Sequence, residues 1–156
     1  MKTLILYATK YGAAREIAQR IANNMREAKI YDLKNDNIPP LEQFECIIIG
    51  SSVYAGNIRK EAKTFITKNL SILQDKKIGL FLSGMAPESG EEKVFESMPA
   101  EIVSVAKEKS LLGGIFDPKK ANGLERFIMK IVTKQSGYVN TISDEKIAQF
   151  AEIMKL

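Results

Sequence analysis

The residues best suited to chemistry in this chain form the string Thr9-Lys10-Tyr11-Gly12-Ala13-Ala14. It follows the apolar run Leu4-Ile5-Leu6-Tyr7 and opens into a segment whose Ile17, Ala18, Ile21, Ala22 and Met25 share one helical face. A strand, a tight turn and a helix in that order make an anion site. Turn amides and the unpaired N–H groups of the first helical turn converge there, and the helix dipole favours negative charge. Two further strings have a related composition, Gly50-Ser51-Ser52-Val53-Tyr54-Ala55-Gly56-Asn57 and Leu82-Ser83-Gly84-Met85-Ala86-Pro87. Each follows an apolar run and offers small residues, hydroxyls and free amides, with one or two flat or polarizable side chains among them. Together the three strings suit a ligand with an anionic tail and a planar apolar head. Amides of the first hold a phosphate, while Tyr54 and Met85 lie against a ring. The predicted contacts are residues 9–14, 51–56 and 83–86 of these strings.

Other chemistry is excluded by what the chain lacks. Histidine is absent, which removes His-based triads, imidazole acid–base catalysis and zinc sites with His ligands. The single cysteine, Cys46, sits in an apolar run and reads as a small buried hydrophobe. Alone it supplies neither a disulfide within the chain nor a Cys-rich metal site. Difficult chemistry therefore falls to an organic cofactor, with no catalytic side chain and no metal assigned. The formal net charge of +4 fits an anionic ligand, an acidic partner or a lipid surface, and selects none of them. Nucleic acid is not among the expected partners. No apolar run approaches the ~20 residues of a membrane span, and the N-terminal run reads as a strand and not a secretion signal. The expected location is cytoplasmic.

The elements that must position these strings follow from the hydrophobic pattern. At 156 residues the chain suffices for one well-filled core, so a single domain over 1–156 is expected. Strands are predicted at 2–7, 29–33, 45–50, 77–82 and 109–113, the last continuing weakly through Gly114-Ile115-Phe116. Helices are predicted at 13–27, at 59–70 with Ala62, Phe65, Ile66 and Leu70 inward, and at 123–135 and 143–155. One or two more fall between 92 and 107, interrupted near Pro99, and Pro39-Pro40-Leu41-Glu42 allows a helical turn at most. The unbroken run Cys46-Ile47-Ile48-Ile49 suits a central strand buried on both faces. Ser143 ahead of Asp144-Glu145 is a good helix cap. Alternating strands and helices predict an α/β, doubly wound three-layer sandwich whose five parallel strands run in the order 2-1-3-4-5. A ligand then sits beyond the carboxyl ends of strands one and three, where the winding reverses.

Phospho-acceptor receivers share that topology, but they need acidic residues after strand one and an Asp ending strand three. Here those positions read Ala8-Thr9-Lys10 and Gly50-Ser51-Ser52. The chain instead resembles the flavodoxin-fold FMN proteins, in particular their menaquinone-dependent protoporphyrinogen IX dehydrogenase branch. The resemblance rests on Leu4-Ile5-Leu6-Tyr7, Gly12, Arg15-Glu16-Ile17-Ala18, Ile49-Gly50-Ser51-Ser52-Val53 and Gly56. It also rests on Arg126-Phe127-Ile128-Met129-Lys130-Ile131-Val132 with Ser136-Gly137, the segment closer to the dehydrogenase branch than to electron-carrier flavodoxins. It spans nearly the whole chain. It implies a flavodoxin-like fold, FMN held by the three strings, and an oxidoreductase that takes hydride equivalents from a porphyrinogen and passes them to a quinone. It further implies that the flavin carries the chemistry, with the peptide at Ala55-Gly56-Asn57 beside its N5. The chain keeps Thr9 and Gly12 of the family's phosphate loop but has Tyr11 and Ala14 where hydroxyls are common. Two lost hydroxyl donors cost about 1–3 kcal/mol of binding, and Lys10 or Arg15 could compensate by charge. The alternatives are a flavodoxin that only shuttles electrons to a redox partner, and a flavin-free docking protein.

A second feature is basic. Lys119, Lys120, Arg126, Lys130 and Lys134 sit among Leu124, Phe127, Ile128, Ile131 and Val132, with Glu125 the only acid from 119 to 134. One reading is an amphipathic helix docked on the sheet with a solvated basic face. The other is a surface for anionic lipid headgroups or porphyrin propionates, giving peripheral contact with the inner face of the membrane.

Overall fold

Alternation of side chains along five strands builds two cores from one sheet. The computed structural model describes residues 1–85, 90–133 and 137–156, leaving aside the side chains of Ile128, Val132 and Thr133. The elements are β1 (Thr3–Ala8), α1 (Ala13–Asn23), β2 (Ala28–Asp32), β3 (Cys46–Tyr54), β4 (Asn57–Ile58), α2 (Lys60–Gln74) and β5 (Lys77–Ser83). They continue with α3 (Ala100–Val105), β6 (Ala106–Leu111), β7 (Ile115–Phe116), α4 (Gly123–Thr133), β8 (Val139–Asn140) and α5 (Asp144–Lys155). Short 3₁₀ turns occupy Leu41–Gln43 and Glu91–Ser97. The parallel sheet runs β2-β1-β3-β5-β6, and β4 folds back antiparallel on β3. Counting the five parallel strands alone, this is the expected order 2-1-3-4-5.

Because successive strand residues point to opposite faces, Leu4, Leu6, Ile47, Ile49, Leu80 and Leu82 face a core completed by Ile66 and Leu73 of α2 and Ile102 of α3. Ile5, Tyr7, Cys46, Ile48 and Phe81 face the other, completed by Ile17 and Ile21 of α1 and Phe150 and Met154 of α5. Gly50 is required where it stands: a Cβ there would lie 1.9 Å from Cζ of Phe81, whose ring fills that space. Among the described residues no helix is long and apolar enough to cross a membrane.

Several boundaries differ from expectation. The first helix stops at Asn23 and not near 27, because Asn24 and Met25 turn back to donate to the carbonyls of Ile21 and Ala22. Strand three runs on past Gly50 to Tyr54, because β4 gives its end a pairing partner. The second string is therefore largely strand and hairpin. Helix α2 continues to Gln74 and buries Leu73, while Phe65 and Leu70 are only partly covered. The fifth parallel strand lies earlier, at Ala106–Leu111, and residues 115–116 do not extend it. They pair antiparallel with Val139–Asn140 after the chain turns at Gly113 (φ 94°). Ser143 caps α5 as expected, its hydroxyl accepting the Lys146 N–H at 3.2 Å.

Candidate functional site

The carboxyl ends of β1, β3 and β5 bring the three strings to one edge of the sheet. In the first, Thr9 Oγ1 accepts the Gly12 N–H at 2.9 Å and closes the turn. Gly12 is the N-cap of α1 in a left-handed conformation (φ 99°, ψ −7°) that other residues adopt with strain, and its carbonyl accepts the Glu16 N–H at 3.0 Å. It brings no side chain to cap the helix. The N–H groups of Ala13 and Ala14 have no carbonyl four residues back within the helix, and a Cβ built on Gly12 meets nothing within 4 Å. The turn thus presents open space beside uncapped amides. The side chains of Ala13 and Ala14 are buried, so both residues offer a ligand only backbone.

The second string is tied to the first through the Lys10 N–H, which donates to Ser52 Oγ at 3.0 Å. Ser51 is fully buried, its hydroxyl accepting the Arg59 N–H at 2.8 Å and donating to the Ser52 carbonyl at 2.9 Å. That hydroxyl braces the start of α2 and is already occupied. Val53 packs against the core, and Tyr54 is exposed at the hairpin. Ala55 (φ 50°) and Gly56 (φ 77°) form its two-residue turn, with Tyr54 opposite Asn57. In the third string, Ser83 is buried opposite Ser52 in the β3–β5 register. The Gly84 N–H donates to the Gly113 carbonyl at 3.1 Å, and half-buried Met85 has its Sδ 3.7 Å from Thr141 Oγ1. Ala86 and Pro87 lie outside the described residues, as do Lys134, Gln135 and Ser136 of the basic segment.

One buried acid organises this edge. Glu125 of α4 is 6% exposed. Its Oε1 accepts from Lys10 Nζ at 3.0 Å, from the Tyr11 hydroxyl at 2.7 Å and from Asn122 Nδ2 at 2.8 Å. Asn122 Oδ1 in turn accepts the Glu125 N–H at 2.8 Å. Burial pushes the Glu125 carboxyl up, but the Tyr11 and Lys10 hydrogen bonds and the Lys10 charge outweigh it and hold it below the usual carboxylate range. The same carboxylate, by its hydrogen bonds, holds the Lys10 ammonium and the Tyr11 hydroxyl above their ordinary values. Lys10 Nζ also lies 3.7 Å from the centroid of the Tyr54 ring, a cation–π contact that steadies the ring. The Lys10 charge is therefore matched by Glu125. Of the two cations expected to offset the lost hydroxyls, Arg15 alone remains exposed at the loop.

The comparisons with known proteins bear on this architecture. The family model for the flavodoxin domain matches residues 4–142, most of the chain. The chain belongs to the flavodoxin family. This flavodoxin-family protein is 22% identical over 147 residues to the protoporphyrinogen IX dehydrogenase [quinone] of Escherichia coli K12, a match covering 88% of this chain and 81% of that one. Its fold is similar to that of oxidised flavodoxin 1 from Bacillus cereus, with a TM-score of 0.61 at 16% identity, over 99% of this chain and 97% of the other. It is also similar to a Fusobacterium nucleatum flavodoxin mutant bound to flavin mononucleotide, with a TM-score of 0.53 at 18% identity, over 99% and 96% of the two chains. These two structural likenesses concern the fold.

Residues 9–12, 52 and 54 of this flavodoxin-family chain are joined by direct contacts, and Gly84 and Met85 are held instead by the 113–114 and 141 backbone and side chains. Sequence reasoning assigned no role to Glu125, Asn122 or Thr141. The signal for Glu125 was its standing as the sole acid in a basic segment, since a lone acid there has cations to satisfy it. Its partners on the 9–14 loop are 114 and 115 residues away in sequence, and spacing carries no trace of that.

Proposed function

We propose that this protein binds FMN at the carboxyl edge of β1, β3 and β5 and works as an oxidoreductase of the protoporphyrinogen IX dehydrogenase type, with a quinone as acceptor. The observation that carries the FMN reading is the uncapped α1 N-terminus facing open space above Gly12, inside a loop cross-tied to β3 by the Lys10–Ser52 hydrogen bond. Such a turn receives a phosphate with little reorganisation. Thr9 Oγ1 accepts from Gly12, which leaves its own proton to donate to a phosphate oxygen. Tyr54, held from one side by Lys10, offers a flat surface for the flavin ring, and the exposed turn at Ala55 and Gly56 offers backbone groups at its edge. The Tyr11 hydroxyl is committed to Glu125 and is not offered to the phosphate. Bound FMN supplies reversible two-electron redox chemistry; the protein holds it, orients it and shields one face.

The dehydrogenase reading draws on the match to the Escherichia coli enzyme across 88% of the chain. The electron-carrier reading draws on the flavodoxin-domain match over residues 4–142. Substrate-driven reduction separates them. Anaerobic mixing of FMN-loaded protein with protoporphyrinogen IX should bleach the flavin absorbance, and a menaquinone analogue should restore it. An oxidised spectrum that stays unchanged would reject the dehydrogenase and leave the carrier.

A further inference from the structure

We propose that α4 is a membrane-surface helix, lying in the interface of an anionic lipid bilayer with Leu124, Phe127 and Ile131 inserted and the neighbouring basic residues at the headgroups. All three apolar side chains are more than 60% exposed. At 3.6 residues per turn they fall within an arc of about 60°, so they form one stripe and not scattered singles. Isolated exposed hydrophobics need no explanation, but a contiguous stripe on one helix does. The expectation that this apolar face docks on the sheet does not hold for these residues. The reason lies in Glu125, which takes the inward position and anchors the helix by polar contacts to Lys10, Tyr11 and Asn122.

Charge selects the occupant. Lys119, Lys120, Arg126 and Lys130 are all exposed, the first two just ahead of the helix and the last two about 60–100° around it from Phe127. Glu125, the only acid in the segment, is buried and paired, so it cannot offset them. An apolar stripe edged by cations is complementary to acyl chains beneath anionic headgroups. A second copy docked two-fold, α4 on α4, would set the four cations against four like ones. The Glu125 contacts also join the helix to the 9–14 loop, so a bilayer under α4 lies about one helix diameter, ~10 Å, from the sheet edge. The proposal stands on α4 itself and holds whether or not FMN occupies that edge.

The test uses the full chain and vesicles of phosphatidylcholine, with or without about one-third phosphatidylglycerol. Sedimentation with the anionic vesicles, weakened by salt, is expected. Phe127→Ser with Ile131→Ser should reduce partitioning on the order of tenfold or more, and Lys119→Gln, Lys120→Gln and Lys130→Gln roughly fivefold each. Urea unfolding of each variant should match the parent, because these side chains are exposed. The chain has no tryptophan, so Phe127→Trp provides a single reporter whose emission should shift to the blue on anionic vesicles. No sedimentation, or sedimentation unchanged by the serine pair, would overturn the proposal. So would a dimer that dissociates in the serine variant while vesicles leave the protein in solution, since the stripe would then serve a second copy.

Discussion

Removing the Glu125 carboxylate should cost a few kcal/mol, and the structure says how the cost divides. Glu125→Ala deletes the acceptor of three hydrogen bonds, at 3.0, 2.7 and 2.8 Å. Bonds to a buried charge are worth about 1.5–3 kcal/mol each when a partner is left stranded. Here Lys10 and Tyr11 are 26% and 39% exposed, so both heads can turn to water once the carboxylate is gone. A net loss of about 1–3 kcal/mol follows, or roughly 3–9 °C in Tm for a domain of this size. A double-mutant cycle of Glu125→Gln with Lys10→Met in urea should give a coupling of about 1–2 kcal/mol. The pH dependence has a defined sign. Glu125 titrates below its ordinary value, so its contribution is present above about pH 4.3 and fades as pH falls through the lowered value. Lys10 titrates above its ordinary value, so the contribution is present below about pH 10.4 and fades as pH rises beyond it. The gap between wild type and Glu125→Gln should therefore be flat between those limits and close outside them. A coupling under about 0.3 kcal/mol, the usual scatter of independent sites, would refute the anchoring role of Glu125.

Three more outcomes are expected. Gly50→Ala places a Cβ 1.9 Å from Phe81 Cζ; overpacking of that kind should cost about 2–3 kcal/mol or more in urea unfolding, and an unchanged midpoint would contradict the packing described. Ser143→Ala removes the acceptor for the Lys146 N–H and should lower stability by about 1 kcal/mol, measured the same way. Cys46 is fully buried and burial pushes its thiol up, so a chromogenic disulfide reagent should label it only under unfolding conditions.

Much of this architecture is legible in the sequence because it is local. The run Cys46-Ile47-Ile48-Ile49 is apolar at every position, and only a central strand covered on both faces buries all four side chains. The turn after β1 is equally plain, since Thr9 and Gly12 make their contact three residues apart. What the sequence hides is paired at long range or decided by competition. Val53 and Tyr54 look like loop until β4 supplies a ladder partner. Ile115 and Phe116 look like a continued strand until Val139 and Asn140 claim them. The outward stripe of α4 is hidden because periodicity reveals an apolar face but not which neighbour covers it. The inward position went to a carboxylate whose distant partners, Lys10 and Tyr11, lie on the loop after β1.

The central claim is that FMN sits at the turn around Gly12. Its most direct test is titration of FMN into the apoprotein and into Gly12→Asp, followed by flavin fluorescence. Gly12 is left-handed with open space above it, and aspartate tolerates that backbone better than most residues. The variant should stay folded while placing a negative charge beside the phosphate. The account predicts one FMN bound per wild-type chain and little or none by a folded Gly12→Asp. Equal affinity in the two proteins, or no uptake by the wild type, would contradict it.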